Sequence, residues 1–367
     1  MRITQLESQL LRLPLARPIQ PAPKNDPGAG LTHVFMLIVH LDTDAGHRGL
    51  GFAYALQGGG RALKVIADDD LAPIVTGEDP LATEKIGAKV YWRLQGIGRT
   101  GLVAQAYSAV DLALWDLKGK AAGLPLYQLL GGARESAPLY CGDTGWVWMT
   151  PAQIIEASRP YAEQGIGIKL RLGSSDPEAD MDRVSQVREA LGEEIWLGVD
   201  ANQKLDYGTA LAMGHFFEEE MGIGWFEEPI SCEDVDGHAR LAARLEVPIA
   251  LGETLFSMDE FRRYLEKGAA DVLQPDITRL GGLTNWLKVA HLAEMHHRPL
   301  SPHVLPEVGV HLACGLANVK SVELMPWLYP AFMETPAIIQ GKIVPPRRPG
   351  LGLEIAQEAV EKYRVDV

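Results

Sequence analysis

The chain is 367 residues long, 47% apolar and 22% charged, enough for a large core and too much for one small domain. Its formal net charge of −14, with no basic run to offset it, argues against nucleic acid and anionic membrane as partners. Three widely spaced cysteines (Cys141, Cys232, Cys314), charges where a signal peptide needs an apolar stretch, and no long apolar run predict a soluble cytoplasmic protein without a disulfide framework.

In chain order, the Pro/Gly-rich piece 18–30 reads as a mobile loop. Residues 32–54 read as two strands joined by a turn at Asp44-Ala45-Gly46. A helix is expected over roughly 100–122, stopped by Gly123 with Pro125 beyond it. From about residue 136 a regular alternation begins. "APLYCGD" is a strand, and the next helix carries Thr150 as N-cap, Pro151 at its first position and Gln153 to complete a capping box. "GIGIKLRLG" (165–173) is the second strand, with Lys169 and Arg171 on one face and Ile168, Leu170 and Leu172 on the other. A helix follows, started by Asp176-Pro177 and ended by Gly192. "IWLGVD", "IGWFEEP", "PIALGE", "DVLQPD", "RPLSPH" and "KSVELM" continue the series, with helical segments between them. Eight strands separated by helices read as right-handed βαβ units closing into a barrel. An open doubly wound sheet would need a glycine-rich phosphate turn after its first strand, and none is present.

Polar residues end seven consecutive strands: Lys169 and Arg171, then Asp200, Glu227, Glu253, Asp276, His303 and Glu323, spaced 20 to 29 residues apart from Arg171 onward. Any one alone is explained as the cap of the next helix. Seven in succession predict a ring at the C-terminal mouth of a barrel. Asp200, Glu227 and Glu253 would repel one another unless a cation sits between them. Three oxygen ligands with positions left for water or substrate suit Mg²⁺ better than Ca²⁺, and the absence of His or Cys from the trio argues against Zn²⁺. Asn202, two residues after Asp200, is expected to share its side of an extended segment and to orient a ligand or substrate. Glu228 is expected to point away from Glu227. Across the mouth, Asp276 beside His303 makes the imidazole the best general base in the chain.

These residues resemble the enolase superfamily, in its mandelate-racemase-like subgroup, over essentially the whole chain. The resemblance is carried by "AYSAVDLALWDLKGKAAGLPLYQLLGG" (106–132), Lys169-Leu170-Arg171, "VDANQ", "EEP", "GE", the Asp276–His303 pair and Glu323. Closer in, "GHRGLGFAY", "GIKLRLG" and "RPGLGLEI" are similar to the acid-sugar dehydratases acting on talarate and galactarate. The resemblance implies an α/β fold: a (β/α)₇β TIM-like barrel over 131–335, under an α+β capping domain made of 1–130 and completed by 336–367. It implies a small-molecule sugar acid, mono- or diacid, as substrate, and a homo-oligomer, possibly an octamer. It also implies that Mg²⁺ holds the substrate carboxylate while a base removes the proton α to it. Lys169 is expected to hydrogen-bond that carboxylate. Glu323 is expected to donate to it, which requires a raised pKa.

Arg171 departs from the family's usual second lysine. A guanidinium is almost never neutral, so it is a poor base and a good clamp. The expectation is therefore one-base chemistry by His303: dehydration to a 2-keto-3-deoxy acid sugar. A sugar-acid epimerase or racemase, or a sugar-lactone cycloisomerase, is the alternative through the same enediolate. A glycoside hydrolase would work without metal, and a sugar-acid-binding protein would keep its affinity without His303. Specificity is expected from the 18–30 loop and from 54–63 as a lid, with Lys24 and Arg61 as candidate contacts for a distal carboxylate.

Overall fold

In the computed structural model, which describes residues 1–20, 30–56 and 58–367, the N-terminal part is a three-stranded antiparallel sheet. Its strands are β1 (Ile3–Ile19), β2 (Leu31–Thr43) and β3 (Arg48–Leu56), in the order β1-β2-β3. Alternation along the strands sorts side chains onto two faces. Val34, Met36, Ile38, Leu50, Phe52 and Tyr54 join the cluster that continues into the second domain. Leu37, Val39, Leu41, Ala53 and Ala55 join a second cluster with the helix Leu102–Ala122. That helix lies so close to β3 that a Cβ on Gly51 would sit 1.9 Å from the Ala109 carbonyl oxygen, so only glycine permits the approach. The sequence reading missed β1 and the helix Thr83–Arg93. Pro14 and Pro18 argue against a strand, but β1 is an edge strand, where prolines are tolerated, and its pairing with β2 is irregular between Pro14 and Ile19.

The second part is the expected barrel. Strands β4 (Ala137–Gly145), β5 (Gly167–Arg171), β6 (Leu197–Asp200), β7 (Phe226–Glu227), β8 (Ile249–Leu251) and β9 (Val272–Leu273) pair in parallel in that order. Single parallel bridges carry the ring from Leu273 to Leu300 and from Leu300 to Val319. It closes where β10 (Val322–Leu324) pairs with β4. The expected helix signals act as read. Thr150 and Gln153 form a reciprocal capping box, and Asp176 accepts from Glu178 and Ala179 backbone N–H groups. The expected cap segment 336–367 divides. The hairpin β11 (Ala337–Ile339) and β12 (Lys342–Val344) adds to barrel strand β4, whereas Val365 donates its N–H to Leu10 of β1. Two buried aspartates of the long helix stitch the pieces together. Asp111 accepts from the N–H and hydroxyl of Thr284, and Asp116 from Leu50 and Leu351 N–H groups.

Candidate active site

Strand register sets the site. Arg171, Asp200 and Glu227 are direct neighbours across β5, β6 and β7, and Glu253 follows β8. One oxygen from each of Asp200, Glu227 and Glu253 lies within 4.8 Å of the others. Into this group reaches the fully buried Lys169, its ammonium 2.9 Å from Glu227, 2.8 Å from Glu323 and 3.5 Å from Asp200. Two neighbouring cations on one strand face are therefore tolerated because anions face them. Glu227 is held at its second oxygen by the Gln274 amide (2.8 Å) and the Trp225 indole N–H (3.2 Å). Burial pushes Asp200 and Glu227 above the usual carboxylate range despite Lys169. At Glu253, burial is overruled by His303 and Arg279, which hold it well below that range.

Asn202 corrects an expectation. Its backbone is left-handed (φ 42°), so the segment turns back instead of extending. Its N–H and side-chain amide both donate to Asp200, at 2.8 and 3.1 Å, so it orients that carboxylate. Glu228 also has positive φ (38°) and points away from the trio, bonded to Thr254 (2.5 Å) and Gln203 (3.0 Å). Burial, with Glu253 and Asp200 nearby, pushes it up to about 8. With Gln203, Val304 and Leu305, five of the seven non-glycine residues of positive φ among the described residues line this mouth. Such strain persists only where the surroundings over-determine it.

His303 stands between two carboxylates. Its Nδ1–H donates to Asp276 Oδ2 at 2.7 Å, and its Nε2 is 3.2 Å from Glu253. Burial favours the neutral ring, but Glu253 and Asp276 prevail and raise it to about 10. Asp276 Oδ1 takes backbone N–H bonds from Thr278 (2.7 Å) and Arg279 (3.0 Å).

Glu323 sits on the Lys169 side, with Oε2 accepting the Val304 N–H at 2.9 Å. A raised pKa was expected. Burial does push it up, but Lys169, His303 and Arg171 outweigh burial and hold it below the usual value, because the ammonium is only 2.8 Å away. Arg171 is buried. Its Nη1 donates to the Gly142 carbonyl, its guanidinium lies 3.8 Å above the Trp146 ring centre, and its Nε is 4.0 Å from Asp200. A Cβ on Gly142 would stand 2.5 Å from Glu323 Oε1, so a side chain there would displace Glu323.

Arg61 is exposed on the short helix Gly60–Val65. Lys24 lies outside the described residues. Of the proposed lid, Tyr54, Gly58 and Gly59 line a cavity of about 800 Å³ with Thr254, Thr278 and Arg279. Tyr54, Trp225, Gln274 and Arg279 were missed as site residues. Only Tyr54 had a signal, its place in the lid segment; the others bond through positions that no spacing rule marks.

Asp200 and Glu227 are buried and Glu253 half-buried, and burial together with the neighbouring carboxylates disfavours the charged forms of Asp200 and Glu227, a strain that a divalent cation held between the three would relieve. The all-oxygen set of three fits Mg²⁺. Residues 20–131 match the mandelate racemase / muconate lactonizing enzyme N-terminal domain, and residues 154–359 match the enolase C-terminal domain-like family. The chain is 38% identical to an L-talarate/galactarate dehydratase of Salmonella typhimurium, over 98% of this chain and 90% of that one. It is 33% identical to a 3,6-anhydro-alpha-L-galactonate cycloisomerase of Streptomyces coelicolor, over 99% of each. Among solved structures, L-talarate dehydratase from Polaromonas sp. JS666, complexed with Mg and L-glucarate, superposes with a TM-score of 0.95 at 40% identity, covering 100% of this chain and 98% of that one. Among the described residues no helix is long and apolar enough to cross a membrane. Mg²⁺ is thus the cofactor for which Asp200, Glu227 and Glu253 are arranged, and the chain belongs to the mandelate racemase/muconate lactonizing members of the enolase superfamily.

Proposed function

We propose that the chain is an acid-sugar dehydratase, a hydro-lyase that converts a mono- or diacid sugar to its 2-keto-3-deoxy acid. The observation that carries this reading is that the buried imidazole of His303 is braced by Asp276, while the strand position that usually carries a second basic lysine in the family holds Arg171, bonded to the Gly142 carbonyl. Bound Mg²⁺ supplies Lewis-acid neutralisation of the charge that develops on the substrate carboxylate. Asp200, Glu227 and Glu253 hold it. Lys169 offers a fixed ammonium to that carboxylate, pre-placed by Glu227 and Glu323. Glu323 enters as the partner that fixes Lys169 and Val304. Its lowered pKa does not support a role as hydrogen-bond donor.

With Glu253 engaged as a metal ligand, the carboxylate that holds the Nε2 proton would be drawn away from His303, and the neutral imidazole would take the α-proton at Nε2; the electron pair left behind forms the C=C bond of the enediolate. Collapse of that enediolate breaks the β C–O bond, and the imidazolium gives its proton to the departing hydroxyl, which leaves as water. The resulting enol tautomerises to the ketone. Arg171, kept cationic and pinned between the Gly142 carbonyl and Trp146, binds a substrate oxygen without removing a proton. One face of the α-carbon thus has a base and the other has none, which favours elimination over racemisation.

A second reading, cycloisomerisation of a sugar lactone, shares every step through the enediolate and is favoured by the full-length likeness to a cycloisomerase. A panel of sugar acids and lactones incubated with Mg²⁺ and analysed by NMR separates the two. A 2-keto-3-deoxy product formed from an open-chain sugar acid with loss of water supports dehydration, whereas conversion of lactones by ring opening alone, with no open-chain acid dehydrated, refutes it. His303→Asn should abolish exchange of the α-proton in D₂O. Exchange that survives would overturn the assignment of the base.

A further inference from the structure

We propose that Tyr54, carried by the capping sheet, is a positioning residue for the base: its phenol locks Asp276, so that aiming of the His303 imidazole depends on the cap. The inference rests on the reading of His303 as the base. Alternation along β3 turns Tyr54, with Leu50 and Phe52, toward the barrel, and the ring is 3% exposed. Its O–H donates to Asp276 Oδ2 at 2.5 Å, and the phenol oxygen lies 3.5 Å from His303 Nδ1. The same Oδ2 accepts the His303 Nδ1–H at 2.7 Å, while Oδ1 takes the Thr278 and Arg279 N–H groups. Four donors therefore occupy the roughly four lone-pair sites of one carboxylate.

Three of those donors come from the barrel, two of them backbone groups on one oxygen. Tyr54 is the only one of the four supplied from outside the barrel. Burial holds the phenol well above its ordinary pKa, so it stays a donor. Without it, Oδ2 keeps a single partner and the carboxylate is free to rock about its anchored Oδ1. The imidazole ring tilts with it, and displacements on the ångström scale at a reacting atom cost up to roughly 100-fold in rate. Tyr54 also lines the cavity bounded by Thr254, Thr278 and Arg279, so its hydrogen bond to Asp276 lies at the edge of that space.

Tyr54→Phe tests this with the full-length, Mg²⁺-loaded enzyme. On an accepted acid sugar, kcat should fall roughly 10- to 100-fold with KM within about twofold, because the lost contact is to the base and not to substrate. The isotope effect from an α-deuterated substrate should rise, since proton abstraction becomes slower relative to the other steps. A loss of folded protein alone would lower the apparent kcat and leave the isotope effect where it was. Site-specific 3-fluorotyrosine at position 54 keeps the ring and the O–H, and should restore kcat to within about threefold of wild type. The low-field proton signal of His303 Nδ1–H, read in metal-free protein without substrate, should shift in Tyr54→Phe. Wild-type kcat and isotope effect in Tyr54→Phe, a fluorotyrosine enzyme as slow as the Phe variant, or an unmoved proton signal each overturn the proposal. Exchange of the α-proton into D₂O is followed in the same variants. A wild type that exchanges without dehydrating refutes the dehydratase reading, while the Tyr54 comparison stands on exchange rates.

Discussion

Glu307 offers a test of the electrostatics that does not touch the catalytic groups. It is the second residue of the helix Pro306–Gly315, fully buried, and neither carboxylate oxygen has a hydrogen-bond partner among the described residues. Burial raises its pKa from 4.5 to about 8, so the folded protein keeps it neutral at pH 7. The folded state thus binds this proton more tightly than the unfolded chain. The associated stability is fully present below pH 4.5, declines as pH rises, and is gone above about 8. A shift of this size corresponds to ~5 kcal/mol at 1.36 kcal/mol per pKa unit, an upper figure because water reaching the group would reduce it. Glu307→Gln removes the titration and keeps the shape. Urea denaturation followed by tryptophan fluorescence, on metal-free protein from pH 4.5 to 8.5, should show the two proteins close at the acid end. The Gln variant should then gain progressively, by up to ~5 kcal/mol at the alkaline end. Stability curves that stay parallel over that range would refute the account of Glu307 as a buried neutral acid.

Chelation by EDTA should abolish turnover, with recovery on adding Mg²⁺, and saturating Mg²⁺ at 100 times its Kd should stabilise the fold by ~2.7 kcal/mol in a thermal melt. Metal-independent turnover would contradict the role given to Asp200, Glu227 and Glu253. Gly142→Ala should push Glu323 off Lys169, since the new methyl would lie 2.5 Å from Glu323 Oε1 and 2.9 Å from Met325 Sδ. The expected cost is ~1–3 kcal/mol in stability with a loss of activity on the order of 100-fold, read by thermal melt and steady-state rate. Arg171→Lys exchanges a pinned guanidinium for an amine that can lose its proton, at the cost of stacking on Trp146. Chiral analysis should then reveal epimerised substrate, and its absence would remove the support for Arg171 as the feature that disfavours racemisation.

Much of the site was legible because it is built on a repeat. Asp200, Glu227, Glu253, Asp276 and His303 each close a βα unit, and a barrel brings such positions to one rim whatever lies between them. The faces of Lys169 and Arg171 followed from period two alone. The edge strand β1 was hidden by its prolines, whose tolerance depends on a neighbour being absent from one side. The turns at Asn202 and Glu228 were also unreadable, because left-handed backbone at a polar residue has no compositional mark as firm as glycine's.

The chain by itself determined the residue types, their order and their spacing, and from these the barrel, the carboxylate trio and the Asp–His pair. Only the tertiary structure decided how the charges settle. Lys169 at 2.8 Å turns Glu323 from the expected proton donor into a carboxylate below its usual pKa. Tyr54 meets Asp276 across 222 residues of sequence. Electrostatic and hydrogen-bond energies depend on separations of a few ångströms and on burial, and neither is encoded in local periodicity.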